Sequence, residues 1–133
     1  MPPKNGLMAN FDIAIQYFQE SLDLTPKDHP DRAGRLQALG DGYRSRSIDK
    51  GAEADLDLAI QYFQESLDLT PKDHPDWAGR LQALGNGYRS RSIRKGAGID
   101  LDLAIQYFQE SLDLTPKDHP DRAGRLKALG NGY

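Results

Sequence analysis

The chain has 133 residues, no cysteine, a charged share of 28%, an apolar share of 38% and a formal net charge of −3. Without cysteine, disulfides, thiol catalysis and thiolate metal sites are excluded, and a charge balance this close to neutral gives no pointer to nucleic acid or to a membrane surface. No apolar run approaches the ~18 residues of a bilayer span, and the start, Met1-Pro2-Pro3-Lys4-Asn5-Gly6-Leu7-Met8, lacks the apolar stretch of a secretory signal, so a cytoplasmic protein is expected.

Residues 1–10, with Pro2, Pro3 and Gly6, are a lead-in with little to order them. Over 11–25, Phe11, Ala14, Ile15, Phe18 and Leu22 recur at the spacing of one helical stripe. Thr25-Pro26 ends that run, since a residue before proline is pushed out of the α region; this helix is designated B. Lys27-Asp28-His29-Pro30-Asp31 reads as a start signal. Asp28 or His29 can cap, Pro30 suits the first turn, and Asp31 puts negative charge where the dipole favours it. The helix that follows, designated A, sets Ala33, Leu36, Leu39, Gly40 and Tyr43 on one stripe. Arg44, Arg46 and Lys50 lie towards its C-terminal end, where cations are favoured, and Gly51 stops it. Ala52 to Asp55 connect, with Asp55 the expected cap of the next B helix.

The pattern then begins again. Gln16, Gln61 and Gln106 each open the string Gln-Tyr-Phe-Gln-Glu-Ser-Leu-Asp-Leu-Thr-Pro, 45 residues apart. Residues 56–88 and 101–133 differ only at Trp77/Arg122 and Gln82/Lys127. Residues 11–43 depart from 56–88 only at Phe11, Ile13, Arg32 and Asp41. Such a period marks an array of one supersecondary unit, and a modest apolar share suffices when each unit buries one stripe against its neighbours. B helices are predicted over 56–69 and 101–114, A helices over 76–94 and from 121. No β alternation occurs, so the fold class is all-α. Gly40, Gly85 and Gly130 fall mid-helix, where each costs ~1 kcal/mol relative to alanine. Their use is expected to be close approach of a neighbouring helix, against Ala59 and Phe63 or the equivalents.

Leu81, Leu84, Gly85 and Tyr88, followed after a connector by Ala104, Phe108, Ser111 and Pro116, resemble the tetratricopeptide signature. The unit is about 11 residues longer than the ~34 usual in that family, and the extra length lies in the connectors. In this it is similar to the long-loop arrays of fungal NLR-type and CHAT-associated proteins. The resemblance covers 11–133 and implies a right-handed α-solenoid of antiparallel helix pairs, a tetratricopeptide-like superhelix. In that register an orphan B helix (11–25) precedes repeats 29–70 and 74–115, and an orphan A helix (120–133) follows. The first leaves Phe11, Ile15 and Phe18 without a preceding A helix; the last leaves Leu126, Leu129 and Tyr133 without a following B helix. Head-to-tail stacking or helix exchange between copies is therefore expected.

The resemblance also implies a function: a non-enzymatic scaffold that binds a protein or peptide, in one form an acidic one, along its A helices. Carried over by position, the groove residues are Gly79, Gln82, Asn86, Arg89 and Ser90, with copies Gly34, Gln37, Asp41, Arg44 and Ser45, then Gly124, Lys127 and Asn131. Lys127 and Asn131 match one half of the carboxylate clamp of some family members, while Ala83 stands where the other half needs an asparagine. The same positions are also compatible with a plain solvated face. The acidic B helices (Asp55, Asp57, Glu65, Asp68) and basic A-helix ends (Arg89, Arg91, Arg94, Lys95) either pair with one another or leave charge for a ligand. A nucleic-acid partner is not expected, because no aromatic stacking platform accompanies the arginines.

His29, His74 and His119 recur once per unit in the same turn. Neighbouring helices stand ~10 Å apart, too far for one ion to collect them, so turn residues rather than metal ligands are expected. Gly85-Asn86-Gly87 follows no strand and is not a dinucleotide loop. Arg44-Ser45-Arg46-Ser47 fits a helix end better than a kinase address. No Ser/His/Asp or paired-carboxylate set converges, so no catalytic residue and no cofactor is expected. Trp77, where the sister units have Arg32 and Arg122, reads as drift or as an introduced probe in a shortened chain.

Overall fold

A computed structural model describes residues 3–96 and 98–133, with side chains from residue 10 onward. Six helices run in order: α1 (Pro3–Asp23), α2 (Arg32–Lys50), α3 (Glu53–Asp68), α4 (Trp77–Lys95), α5 (Gly98–Asp113) and α6 (Arg122–Gly132). Among the described residues there is no strand, and the chain is all-α. The B helices are α1, α3 and α5; the A helices are α2, α4 and α6. Each helix packs on the next in the chain, and α2 also touches α4. The lead-in differs from expectation. From Pro3 it belongs to α1, because proline fits a first helical turn whose N–H groups have no partner in any case; residues 1 and 2 lie outside the described residues.

The closest pairings, α2 with α3 and α4 with α5, follow from a two-step chain reversal. Gly51 adopts φ 73°, a left-handed conformation that costs glycine little, and its N–H returns to Ser47 O at 2.7 Å. Gly96 repeats this at φ 65°. Ala52 then leads directly into α3 at Glu53. Asp55 is therefore not the cap expected from its position: it lies within the first turn, nearly buried, and its carboxylate is held elsewhere.

The start of each A helix also departs from expectation. Asp28 and His29 precede the helix by a full turn, and the residue before α2 is Asp31, which makes no side-chain cap bond. Pro26 O accepts from His29 N–H and His29 O accepts from Arg32 N–H, both at 3.0 Å, so two tight turns follow one another. His29 Nδ1 accepts from Asp31 N–H at 3.0 Å, and His74 and His119 do the same for Asp76 and Asp121. Each histidine thus satisfies a backbone donor in its own turn.

The core lies where a B helix is held between two A helices. Ala59, Ile60, Phe63 and Leu67 of α3 cluster with Leu81, Ala83 and Leu84 of α4, and Ile15 and Leu22 of α1 cluster with Leu36 and Leu39 of α2. Mid-helix glycines make this possible. A β-carbon on Gly40 would stand 2.7 Å from the Phe63 ring and 3.2 Å from Ala59 O. Gly85 receives Phe108 at the same distance. On the other flank, Gly87 leaves 3.2 Å for Phe63, so the ring lies between glycines of two helices. Gly130, their third copy, has nothing within 4 Å.

Candidate interaction surfaces

The A helices lie side by side, and arginines bridge them. Arg80 Nη1 donates to Gln37 Oε1 at 3.2 Å, Arg125 Nε to Gln82 Oε1 at 3.3 Å and Arg44 Nε to Ser90 Oγ at 2.9 Å. Arg94 Nη2 donates to Ser47 O at 2.7 Å. Between the C-terminal halves of α2 and α4 lies a groove of about 470 Å³, lined by Arg44, Ile48, Leu56, Arg89, Ser90, Ile93 and Arg94. Ile48 and Ile93 are both exposed. They follow Arg44 and Arg89 at i+4, so each arginine shares a helix face with an isoleucine.

Charge in this region divides into two sets. Arg46 lies across two units: it forms a two-pronged pair with Asp55, at 2.8 and 2.9 Å, and reaches Asp12 at 3.0 Å. Arg91 repeats this with Asp100, at 2.9 and 3.0 Å, and with Asp57 at 3.0 Å. Only 7% of the Asp55 side chain is exposed, against 51% of Asp12. Loss of a buried, two-pronged partner is therefore far more disruptive than loss of the exposed one. Each of these arginines also lies over a tyrosine, Arg46 on Tyr43 and Arg91 on Tyr88, at 5.4 and 5.5 Å from the ring centre.

Arg44, Arg89 and Arg94 form the second set. Among the described residues none of them has a carboxylate within 4.0 Å. Burial lowers the pKa of Arg44 from its usual value; Asp41 opposes this and Arg89, a like charge, adds to it. A carboxylate arriving between Arg44 and Arg89 would oppose both effects with its own charge.

Of the groove positions read from sequence, the structure brings Arg44, Arg89 and Ser90 together. Gln37 lines a separate, polar groove with Arg80, and Gln82 is engaged by Arg125. Asn86 is half-buried on α4, Asp41 faces solvent beside Arg44, and Lys127 and Asn131 are exposed on α6. Ile48, Ile93 and Arg94 were not among the expected set. The signal for Ile48 and Ile93 was the i+4 spacing from Arg44 and Arg89 in the two helix turns beyond Tyr43 and Tyr88.

The expected self-association residues also divide. Ile15 is buried in its own chain, next to Gly42, and Phe11 and Phe18 are half-buried. Leu126 and Tyr133 are exposed, and Leu129 is half-buried. Among the described residues no three His, Asp or Glu side chains gather as metal ligands, and no helix is long and apolar enough to cross a membrane. No protein-family model matches the chain, and no curated protein does.

Proposed function

We propose that the chain is a non-enzymatic protein-interaction scaffold of the tetratricopeptide-like kind, working in the cytoplasm as a right-handed solenoid whose A helices carry the binding face. Supporting the architecture, each helix packs on its sequence neighbours while α2 also reaches α4, the arrangement of a row. The ligand is an extended peptide in which acidic and aliphatic residues alternate. One observation carries this choice: three arginines that have no carboxylate within 4.0 Å among the described residues share an open groove with the exposed Ile48 and Ile93. The volume lies within the range of ligand sites, apolar walls supply contact area, and charge-assisted bonds from arginine fix register.

Fluorescence anisotropy with a labelled Asp/Leu-rich peptide tests this. The double variant Arg44→Ala/Arg89→Ala is expected to weaken binding at least tenfold, ~1.4 kcal/mol, and added salt to weaken it further. Gln37→Ala, in the other groove, is expected to leave affinity unchanged. Equal affinity for the wild-type chain and the double variant would end the proposal.

A further inference from the structure

The seam between an A helix and the B helix after it is made twice inside the chain, by α2 with α3 and by α4 with α5. Three contacts define it. Phe63 enters at Gly40 and Phe108 at Gly85, each 2.7 Å from the place a β-carbon would take. Ser66 Oγ donates to Ala33 O at 2.6 Å, and Ser111 Oγ to Ala78 O at 2.7 Å. Tyr62 stacks on Tyr43 at 5.7 Å between ring centres, and Tyr107 on Tyr88 at 5.8 Å.

Among the described residues, both halves of the same seam occur once more without their partner. On α6 the receiving half is Gly130, Ala123 and Tyr133; space around Gly130 is open and Tyr133 is 87% exposed. Leu126 beside them is exposed, where Leu36 and Leu81 are buried. On α1 the entering half is Tyr17, Phe18 and Ser21. Tyr17 is 65% exposed, and Phe18 and Ser21 are half-buried, where Phe63 and Ser66 are each 1% exposed. Over 11–24, α1 differs from α3 only at Phe11 and Ile13, both apolar in either copy.

We infer that these halves meet between molecules: α6 of one chain seats α1 of a second copy, with Phe18 entering at Gly130, Ser21 Oγ donating to Ala123 O and Tyr17 stacking on Tyr133. The occupant is a second copy because the fit required is one this sequence already makes twice with itself. The two halves lie on different helices, so the contact is heterologous and extends from chain to chain rather than closing on a pair. It shares no residue with the α2–α4 groove, and its success or failure is separate from that of peptide binding. As an association between molecules, the contact appears as concentration rises.

Sedimentation equilibrium of the full chain over a wide concentration range tests the inference. Wild-type mass is expected to climb past that of a dimer. Gly130→Leu fills the seat on α6, and Tyr17→Glu puts a charge on the entering face of α1; each alone is expected to stay monomeric. Both are expected to melt in dilute solution like the wild type. An equimolar mixture of the two variants is expected to form a dimer and stop there, because one supplies an intact α1 and the other an intact α6. A wild-type mass that never changes, or that stops at a dimer, overturns the inference. So does association that survives either substitution, or a mixture that stays monomeric. Should Gly130→Leu melt lower, Tyr17→Glu decides by itself.

Discussion

Asp41 stands on α2 where α4 and α6 carry Asn86 and Asn131. Its side chain is exposed, yet protein nearby removes part of the carboxyl's hydration and raises its pKa above 3.8, against the pull of Arg44. A carboxyl whose folded pKa exceeds its unfolded value costs stability at neutral pH, and the cost disappears as pH falls through the folded pKa towards 3.8. Asp41→Asn is therefore expected to stabilise the chain at neutral pH by less than about 1 kcal/mol, because water screens an exposed group. The advantage is expected to fade below 3.8. Urea unfolding of both chains at the two pH values checks this; a less stable variant at neutral pH contradicts it. Trp77 also has a local account. Arg32 and Arg122 donate to the carbonyls of Thr25 and Thr115, at 2.9 and 2.8 Å, and Trp77 replaces that link by packing on the α3–α4 core. Single residues were the least legible level of the sequence. Asp55 reads locally as a helix cap, and only the fold shows that Arg46, nine residues back, holds its carboxylate.

Helices were more legible, because a stripe at 3–4 spacing names its own buried face. Ala33, Leu36, Leu39 and Gly40 are buried as that spacing predicts. The expected use of the mid-helix glycines, close approach to Ala59 and Phe63, is seen at Gly40 and repeated by Phe108 at Gly85. The role of Gly42 and Gly87, which face the preceding B helix, was not legible, since a stripe does not say which neighbour lies on its second flank. The same limit hid Ile48 and Ile93, about a turn and a half beyond Tyr43 and Tyr88. Three equivalent glycines in unlike surroundings make an internally controlled experiment. Gly40→Ala and Gly85→Ala place a methyl group against a buried ring, and are expected to destabilise by about 1–3 kcal/mol from overpacking. Gly130→Ala meets nothing and is expected to be neutral or to gain up to about 1 kcal/mol of helix propensity. Denaturant midpoints in dilute solution measure all three; a loss at Gly130 as large as that at Gly40 would contradict the close-approach account.

Across the molecule, burial is concentrated at the centre. α3 and α4 share the larger core cluster, while α6 buries only Gly132. Amide exchange in dilute solution is expected to be slowest in α3 and α4 and fastest in α6, because opening an end helix exposes little apolar surface. Uniform protection from α2 to α6 would mean that the chain opens as one unit instead. The groove belongs to this scale too: Arg44 and Arg89 are 45 positions apart in the sequence, and only the lateral packing of α2 on α4 makes them neighbours. Phe63, clasped by Gly40 before it and Gly87 after it, has a further meaning for heredity. Because Phe63 at Gly40 and Phe108 at Gly85 make the same fit 45 residues apart, a gene that duplicates one whole 45-residue block keeps that fit at the new junction. A change at Phe63, by contrast, is met twice, once at Gly40 and once at Gly87.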